Sequence, residues 1–539
     1  MSGHLLTLSY LKGGKEKAAH GSDESVEIRI LDGDHRHTVT VRAREDITLS
    51  DYREDNITAL DPNDLFFLNG YQSWTDTKER TIRETEHDVL KLPRSLVSKH
   101  GLDLYGDAAF YAYDRNILHG YDLFYAKGRA PVYAFSLNTR TAYLVFEVDR
   151  KTARLSVRSL VGGLHLSAGE ECTVCAYAAY PDEKAFTEAF AGEYPDREPE
   201  KLFGYTSWYN YYQNINASIL ERDLSALDSR FNLFQIDDGY ETAVGDWLDV
   251  DPVKFPEGLK PILDRIHETG KKAGIWLAPL VVEQKSAVFH NHPEWLKKDR
   301  NGQPFRCGGN WSGFYALDLD CEEACDYIRN CLVHYANMGF DFFKLDFLYA
   351  ASLPSYEGRT GCMMAETAYA MLRNALQDKL ILGCGATLFN AAGKFDYMRI
   401  GPDVSLIFDD VFYMRWMHRE RVSTKNTLQN TIYRSLLNRR LFGNDPDVFL
   451  LRDTNIKLSF EQRRALITIN ALFGNLMMTS DNISEYDERG SALLNEALKL
   501  YKQATVTGFS RDKDKIHIRY TLDGQSFALT YHTGKGVLI

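Results

Sequence analysis

No run of apolar residues in this chain approaches the length that spans a bilayer. A membrane protein of the helical kind is therefore not expected. Met1-Ser2-Gly3-His4-Leu5-Leu6 has no basic stretch followed by an apolar core, so no secretory leader is read there and a cytoplasmic location is the expectation. Positive charge is in deficit: 63 Lys and Arg face 75 Asp and Glu, a net charge of −12. A nucleic-acid binder would carry a basic footprint, so that class is set aside and a neutral substrate fits. Cysteine is sparse, eight in 539 residues. Cys172 and Cys175 form a C-x-x-C, but on a strand they face opposite sides, and no second pair stands at zinc-site spacing. Reduced structural thiols are expected. His267, His290, His292, His334 and His418 do not stand where strands end, so no metal site is expected either. The α/β region lacks a glycine-rich phosphate turn after its first strand, which argues against a nucleotide-binding open sheet and leaves no cofactor to predict.

What is present divides the chain in three. Residues 1–190 read as all-β: Val26–Ile30 and Thr38–Arg42 alternate with period two, and Val132–Leu137 and Ala142–Val148 flank the turn-like Asn138–Thr141. Many short strands with polar turns predict a β-sandwich. A charged stretch with Pro195 and Pro199 serves as the linker. Residues 200–484 then alternate strands with amphipathic helices. The strands are Phe203–Trp208, Leu233–Asp237, Ala273–Ala278, Phe342–Phe347, Leu380–Gly383, Tyr397–Gly401, a weaker Val448–Leu451, and Leu476–Ser480. Eight such units over one region predict an α/β fold with a central (β/α)8 TIM barrel. Residues 485–539 hold one more helix, Ser491–Ala504, and the alternating strands Lys515–Tyr520 and Ser526–Tyr531, a small antiparallel β domain.

A barrel keeps its active site at the carboxyl ends of its strands, and polar residues gather there. The first strand ends at Ser207-Trp208, the second at Asp237-Asp238-Gly239-Tyr240. The third carries Trp276, the fourth Lys344 and Asp346, the fifth Cys384. The sixth carries Arg399 and then Asp403. Asn444-Asp445-Pro446-Asp447 and Ser480-Asp481-Asn482 follow. One such aspartate could cap the next helix. Carboxylates after strands two, four and six, with Lys, Arg and Trp among them, point instead to chemistry.

Glycoside hydrolysis uses such a set. A retaining enzyme needs two carboxyl groups about 5–5.5 Å apart, one to attack and one to donate a proton and then activate water. Lys344 lies one pleat from Asp346 on the same face, so a nearby cation is expected to keep Asp346 ionised as the attacker. Asp403 has only Arg399, four residues back, and is the better proton donor. Plentiful aromatics, 31 Tyr and 7 Trp, supply faces on which a sugar can stack.

Phe234–Tyr240, Gly245-Asp246-Trp247 and Gly274–Pro279 resemble the clan of retaining α-galactosidases. Phe343–Leu348, Leu382–Gly385 and Met398–Asp403 resemble glycoside hydrolase family 36, in its compact bacterial form. Six motifs in order, from about Gly204 to Asp481, carry the likeness. It implies Asp346 as nucleophile and Asp403 as acid/base. It also implies Asp237 and Asp238 on the sugar's O4 and O6, Lys344 on O3 and O4, Arg399 near O2, and Trp276 as a pocket wall. Cys384 and Gly385 would lie beside the 2-substituent. Trp74, in Tyr71-Gln72-Ser73-Trp74 of the sandwich, would lean over the pocket, and Trp208 is a further binding residue. The chain departs from many relatives at Val404–Asp410, which lacks a tryptophan, and at Thr206-Ser207-Trp208, where Cys-Ser-Trp is common.

The activity implied is α-galactosidase action on raffinose- or melibiose-type oligosaccharides. An α-N-acetylgalactosaminidase or a transglycosylase on the same scaffold are the alternatives, and room beside C2 separates the first of them. A catalytically silent sugar binder would lack a carboxylate, and both Asp346 and Asp403 are present. The partner expected is an oligosaccharide or glycoside, without nucleic acid or membrane; a homo-oligomer stays open.

Overall fold

The computed structural model describes residues 5–84, 104–299, 301–353, 358–411, 415 and 419–539. His418, considered above, lies outside them.

Two seven-stranded antiparallel sheets form the amino-terminal sandwich. Period-two alternation buries one face of each strand: in Arg36–Ala43 the buried side chains are His37, Val39, Val41 and Ala43. The turn at Asn138–Thr141 is no hairpin. Val132–Ser136 pairs within one sheet and Leu144–Asp149 within the other, so the chain crosses the sandwich there. The two sheets therefore share one core, in which Phe124 stacks on Phe146 at 5.7 Å.

The barrel follows. Its strands are Leu202–Thr206, Leu233–Ile236, Lys272–Leu277, Phe342–Leu345, Leu380–Gly383 and Tyr397–Arg399, then a broken seventh, Gly443–Asp445 and Val448–Phe449, and last Leu476–Thr479. All ladders are parallel. Strands buried on both faces read as near-continuous apolar runs, which is how they were legible. The sheet's path begins at Gly443–Asp445 and ends at Val448–Phe449. Only Pro446 and Asp447 separate those ends, so the ring closes through one interrupted strand. Proline has no N–H for a ladder, and Asp447 takes a positive φ of 71°; the break is local and covalent. Close strand approach needs Gly204, where a Cβ would sit 2.5 Å from the Met478 sulfur.

Amphipathic helices cover the barrel. Lys260–Glu268 turns Ile262, Leu263 and Ile266 inward. Glu322–Met338 begins with two glutamates, favourable at the positive end of the helix dipole, and stops at Gly339 with φ 121°. Glu488–Gln503 follows the last strand, and its Tyr501 hydroxyl bonds the Leu202 and Asn475 carbonyls at the base of the barrel. A four-stranded antiparallel sheet, from Thr505–Asp512 to Val537–Leu538, ends the chain. One element was not foreseen: a three-stranded antiparallel sheet, Val281–Glu283, Arg306–Gly308 and Phe314–Ala316, inserted after the third barrel strand. No helix among the described residues is long and apolar enough to cross a membrane.

Candidate active site

The carboxyl ends of the strands surround a cavity of about 260 Å³. At the second strand, Asp237 is buried and fully engaged. Its Oδ2 accepts from Lys344 Nζ at 2.8 Å, Gln235 Nε2 at 2.7 Å and Thr206 Oγ1 at 3.0 Å. Asp238 accepts from Trp311 Nε1 at 2.9 Å and from Gln213 Nε2 at 3.1 Å. Burial pushes the Asp238 carboxyl up. Glu241 behind it is pushed up further, by burial and by Asp238 itself.

The fourth strand departs from the sequence reading in one respect. Lys344 and Asp346 do lie together at its end, yet the ammonium pairs with Asp237 rather than with Asp346. Burial opposes the charge on Lys344, but Asp237 outweighs it and the pKa lies above the ordinary value. Asp346 is served by other donors: Trp276 Nε1 reaches its Oδ2 at 3.1 Å and the Phe347 amide its Oδ1 at 2.8 Å. Trp276 can do this because it is the parallel-ladder partner of Lys344, one strand over. Phe347 itself sits at φ 54°, a conformation costly for a bulky residue.

Arg399, on the sixth strand, is the hub of the far wall. Its Nη1 donates to Asp403 Oδ1 at 2.8 Å and its Nε to Asp445 Oδ2 at 2.9 Å, and Nη2 lies 2.8 Å from Asp447 Oδ1. The cation near Asp403, weak in the sequence reading, is thus in direct contact. The Asp403 carboxyl is still held above its ordinary range, chiefly by removal from water, with Arg399 and Lys344 pulling it down. A third of its side chain faces the cavity.

Aromatic rings wall the space. Trp74 crosses from the sandwich on a loop pinned to the barrel: the Ser73 amide donates to Ala386 O at 3.0 Å and the Thr77 amide to Asn430 Oδ1 at 2.8 Å. Its ring meets Phe347 edge-on at 5.2 Å, and its indole N–H has no hydrogen-bond partner among the described residues. A Cβ on Gly385, at φ 60°, would lie 2.9 Å from that ring.

Of the ten residues singled out from sequence, eight line the cavity: Trp74, Trp208, Asp237, Asp238, Trp276, Lys344, Asp346 and Asp403. Arg399 and Cys384 lie behind its wall, both buried. Sequence reasoning passed over Tyr105, Asn310, Trp311, Phe347 and the outer group Asp410, Glu420, Arg421 and Val422. Trp311 left a faint signal as one of few tryptophans outside the motifs. It enters on the inserted sheet, which no barrel periodicity announces. Among the described residues, no group of three or more His, Cys, Asp or Glu is arranged to hold a metal ion.

The melibiase family profile matches residues 202–373. An Escherichia coli α-galactosidase is 28% identical over 183 residues, 32% of this chain and 25% of that protein. A Flavonifractor plautii enzyme named as an A type blood α-D-galactosamine galactosaminidase is 34% identical over 127 residues, 21% of this chain and 11% of that one. The chain spans a quarter or less of the length of these curated relatives. Among solved structures, TtGalA, an α-galactosidase from Thermus thermophilus in complex with p-nitrophenyl α-D-galactopyranoside, superposes with a TM-score of 0.72 at 26% identity, covering 96% of this chain and 98% of that one. In the barrel, its flanking β domains and the site at its strand ends, the chain is similar to α-galactosidases, those of glycoside hydrolase family 36 among them.

Proposed function

We propose that the chain is a retaining α-galactosidase that removes terminal α-linked galactose from raffinose- or melibiose-type oligosaccharides. One observation carries the reading: carboxyl groups from the second, fourth and sixth strands face one cavity with aromatic walls. Asp346 attacks C1, a bond forms between its carboxylate oxygen and that carbon, and the bond to the leaving oxygen breaks. Asp403 passes its proton to that oxygen. Water then enters, Asp403 takes its proton, and the hydroxide oxygen displaces Asp346 from C1. Asp237, Asp238 and Lys344 hold the sugar's O3, O4 and O6. Arg399 and Cys384 stand on the O2 side, and Trp276, Trp208 and Trp74 are its walls. The unpartnered indole N–H of Trp74 is a donor for a sugar hydroxyl.

Galactose rather than N-acetylgalactosamine is the sugar proposed, with Trp74 packed closely on Gly385, where a Cβ would lie 2.9 Å from the ring. Stachyose, an oligosaccharide, is bound in a TtGalA structure, in keeping with an oligosaccharide substrate here. The division of the chain at 1–190, 200–484 and 485–539 and a cytoplasmic location complete the proposal.

Azide tests the two roles separately. Asp346→Gly should abolish turnover of an aryl α-galactoside, and azide should restore product as the β-galactosyl azide. Asp403→Ala should spare substrates with activated leaving groups, and azide should yield the α-galactosyl azide. The opposite stereochemistry, or full activity of Asp346→Gly, overturns the assignment. A screen of aryl α-galactoside against its N-acetylgalactosamine and glucose counterparts tests the sugar.

A further inference from the structure

An acid catalyst must keep its proton, yet a guanidinium 2.8 Å away favours losing it. The segment Asn444-Asp445-Pro446-Asp447 has no part in the reaction as written above, and the structure places both of its carboxylates on that same guanidinium. Asp445 faces Arg399 because the two are ladder partners across the sixth and seventh strands. The strand then breaks at Pro446. Asp447, at a positive φ, brings its Oδ1 to 2.8 Å from the Nη2 of that guanidinium. Three carboxyl groups surround one cation.

Hydrogen-bond donors decide which of the three carries the proton. Asp447 Oδ2 accepts from the Tyr209 hydroxyl at 2.5 Å and the Val404 amide at 2.7 Å, while its Oδ1 lies in an ion pair 2.8 Å from Arg399 Nη2. Asp445 accepts from Arg399 and, on Oδ1, from the Asp447 amide at 2.8 Å. Asp403 has Arg399 alone among these donors. A carboxylate ringed by donors is stabilised in its charged form. We infer that Asp447, with Asp445, is a positioning residue that neutralises Arg399 and thereby keeps the proton on Asp403. The inference rests on the acid/base reading of Asp403.

Other charges face Asp403 as well. Lys344, Asp346 and Asp237 act on it from the fourth and second strands. Tyr209 and Tyr212 act from the segment after the first strand, and Cys384 from the fifth. Asp410, Glu420 and Arg421 line the same cavity. All of these remain when Asp447 is changed. Burial pushes Asp447 itself up to about 7, and Asp403 and Asp445 add to the effect while Arg399 opposes it. Asp447 and Asp403 share one cation, Arg399, so removing the Asp447 charge leaves more of that cation's field to act on Asp403.

The test is the pH profile of kcat/KM on an aryl α-galactoside with a poor leaving group. Asp447→Asn preserves shape and removes the charge. The alkaline limb should move down by about one pH unit or more, equivalent to a tenfold loss on that limb, with little change at acid pH. A substrate with an activated leaving group should lose much less. Tyr209→Phe removes one donor from Asp447 and should move the limb the same way by a smaller amount, which keeps the idea testable should Asp447→Asn fail to fold. Asp403→Ala is the control. If its profile loses the alkaline limb while folded Asp447→Asn and Tyr209→Phe leave that limb in place, the inference fails and the acid/base reading stands. If Asp403→Ala keeps the limb, the acid/base reading fails and takes the inference with it.

Discussion

Two buried arginines on adjoining parts of the barrel do opposite work. Arg399 is met by three carboxyl groups. Arg434 is as deeply buried, yet it donates to neutral acceptors: Asn69 Oδ1 at 2.9 Å and the carbonyls of Ser73, Ile400, Gln72 and Gly70 at 2.6, 2.7, 3.1 and 3.4 Å. Burial lowers the Arg434 guanidinium to about 9, while the carboxylates around Arg399 more than offset its burial and raise it well above its ordinary value. Four of the five Arg434 acceptors belong to the loop that carries Trp74. That cation therefore fastens the sandwich to the barrel, and the one with surplus carboxylates is, on the function proposed above, the one that bears on the proton of Asp403. The same residue type, equally hidden from water, is architectural or functional according to the charge of its acceptors.

The contrast can be broken most severely at its hub. Arg399→Met strands three carboxyl groups in a buried site. It should reduce kcat/KM at least about a thousandfold and cost about 3–5 kcal/mol of stability, read by steady-state kinetics and calorimetry. Arg434→Met should cost a similar amount of stability by leaving buried carbonyls unpaired. Its kinetic defect should fall mainly on KM, through a loosened Trp74, with kcat per folded molecule largely kept. Equal kcat losses in the two variants would erase the distinction. Trp74→Ala isolates the part that Arg434 holds. It should raise KM for galactosides about tenfold, roughly the value of one lost hydrogen bond and stacking face. It should also narrow the preference for galactose over N-acetylgalactosamine, measured as a ratio of kcat/KM values.

The smallest effect sharpens the comparison from the other side. Asp122 in the sandwich is a buried carboxyl whose neighbours are the Leu144 amide and Ser136 rather than a cation, and burial pushes it up to about 7. A carboxyl raised on folding contributes full stability below its unfolded pKa, and loses it as pH rises toward 7. Asp122→Asn should therefore raise the melting temperature by a few degrees near pH 8 and leave it unchanged near pH 4. Asparagine suits the residue's φ of 61°.

The sequence disclosed the elements better than their partnerships. Seven barrel strands and the second half of the broken one, Val448–Phe449, were legible, because strands buried on both sides must be apolar and their polar residues collect at one end; the polar first half, Gly443–Asp445, reads as loop. Asp346 and Asp403 stood out as carboxyls at such ends. The partner of Lys344 was not legible: alternation puts it beside Asp346, but parallel packing places Asp237 within 2.8 Å across the ring, and no local pattern encodes that. The weak seventh strand had a physical cause, the interruption at Pro446 and Asp447. Trp311 arrived on an inserted antiparallel sheet, and Glu420 and Arg421 just before the helix Thr424–Tyr433. Such segments carry no periodicity that would announce where they fold back.

The most direct test of the account is covalent capture of its nucleophile. The enzyme would be incubated with a fluorinated α-galactosyl fluoride that forms the glycosyl-enzyme and releases it slowly, then digested and sequenced by mass spectrometry. The account predicts one galactosyl-type adduct, on the peptide containing Phe342–Leu348 and attached to Asp346, and none in Asp346→Gly. An adduct on Asp403, Asp237 or any other residue, or rapid turnover with no adduct, would contradict it.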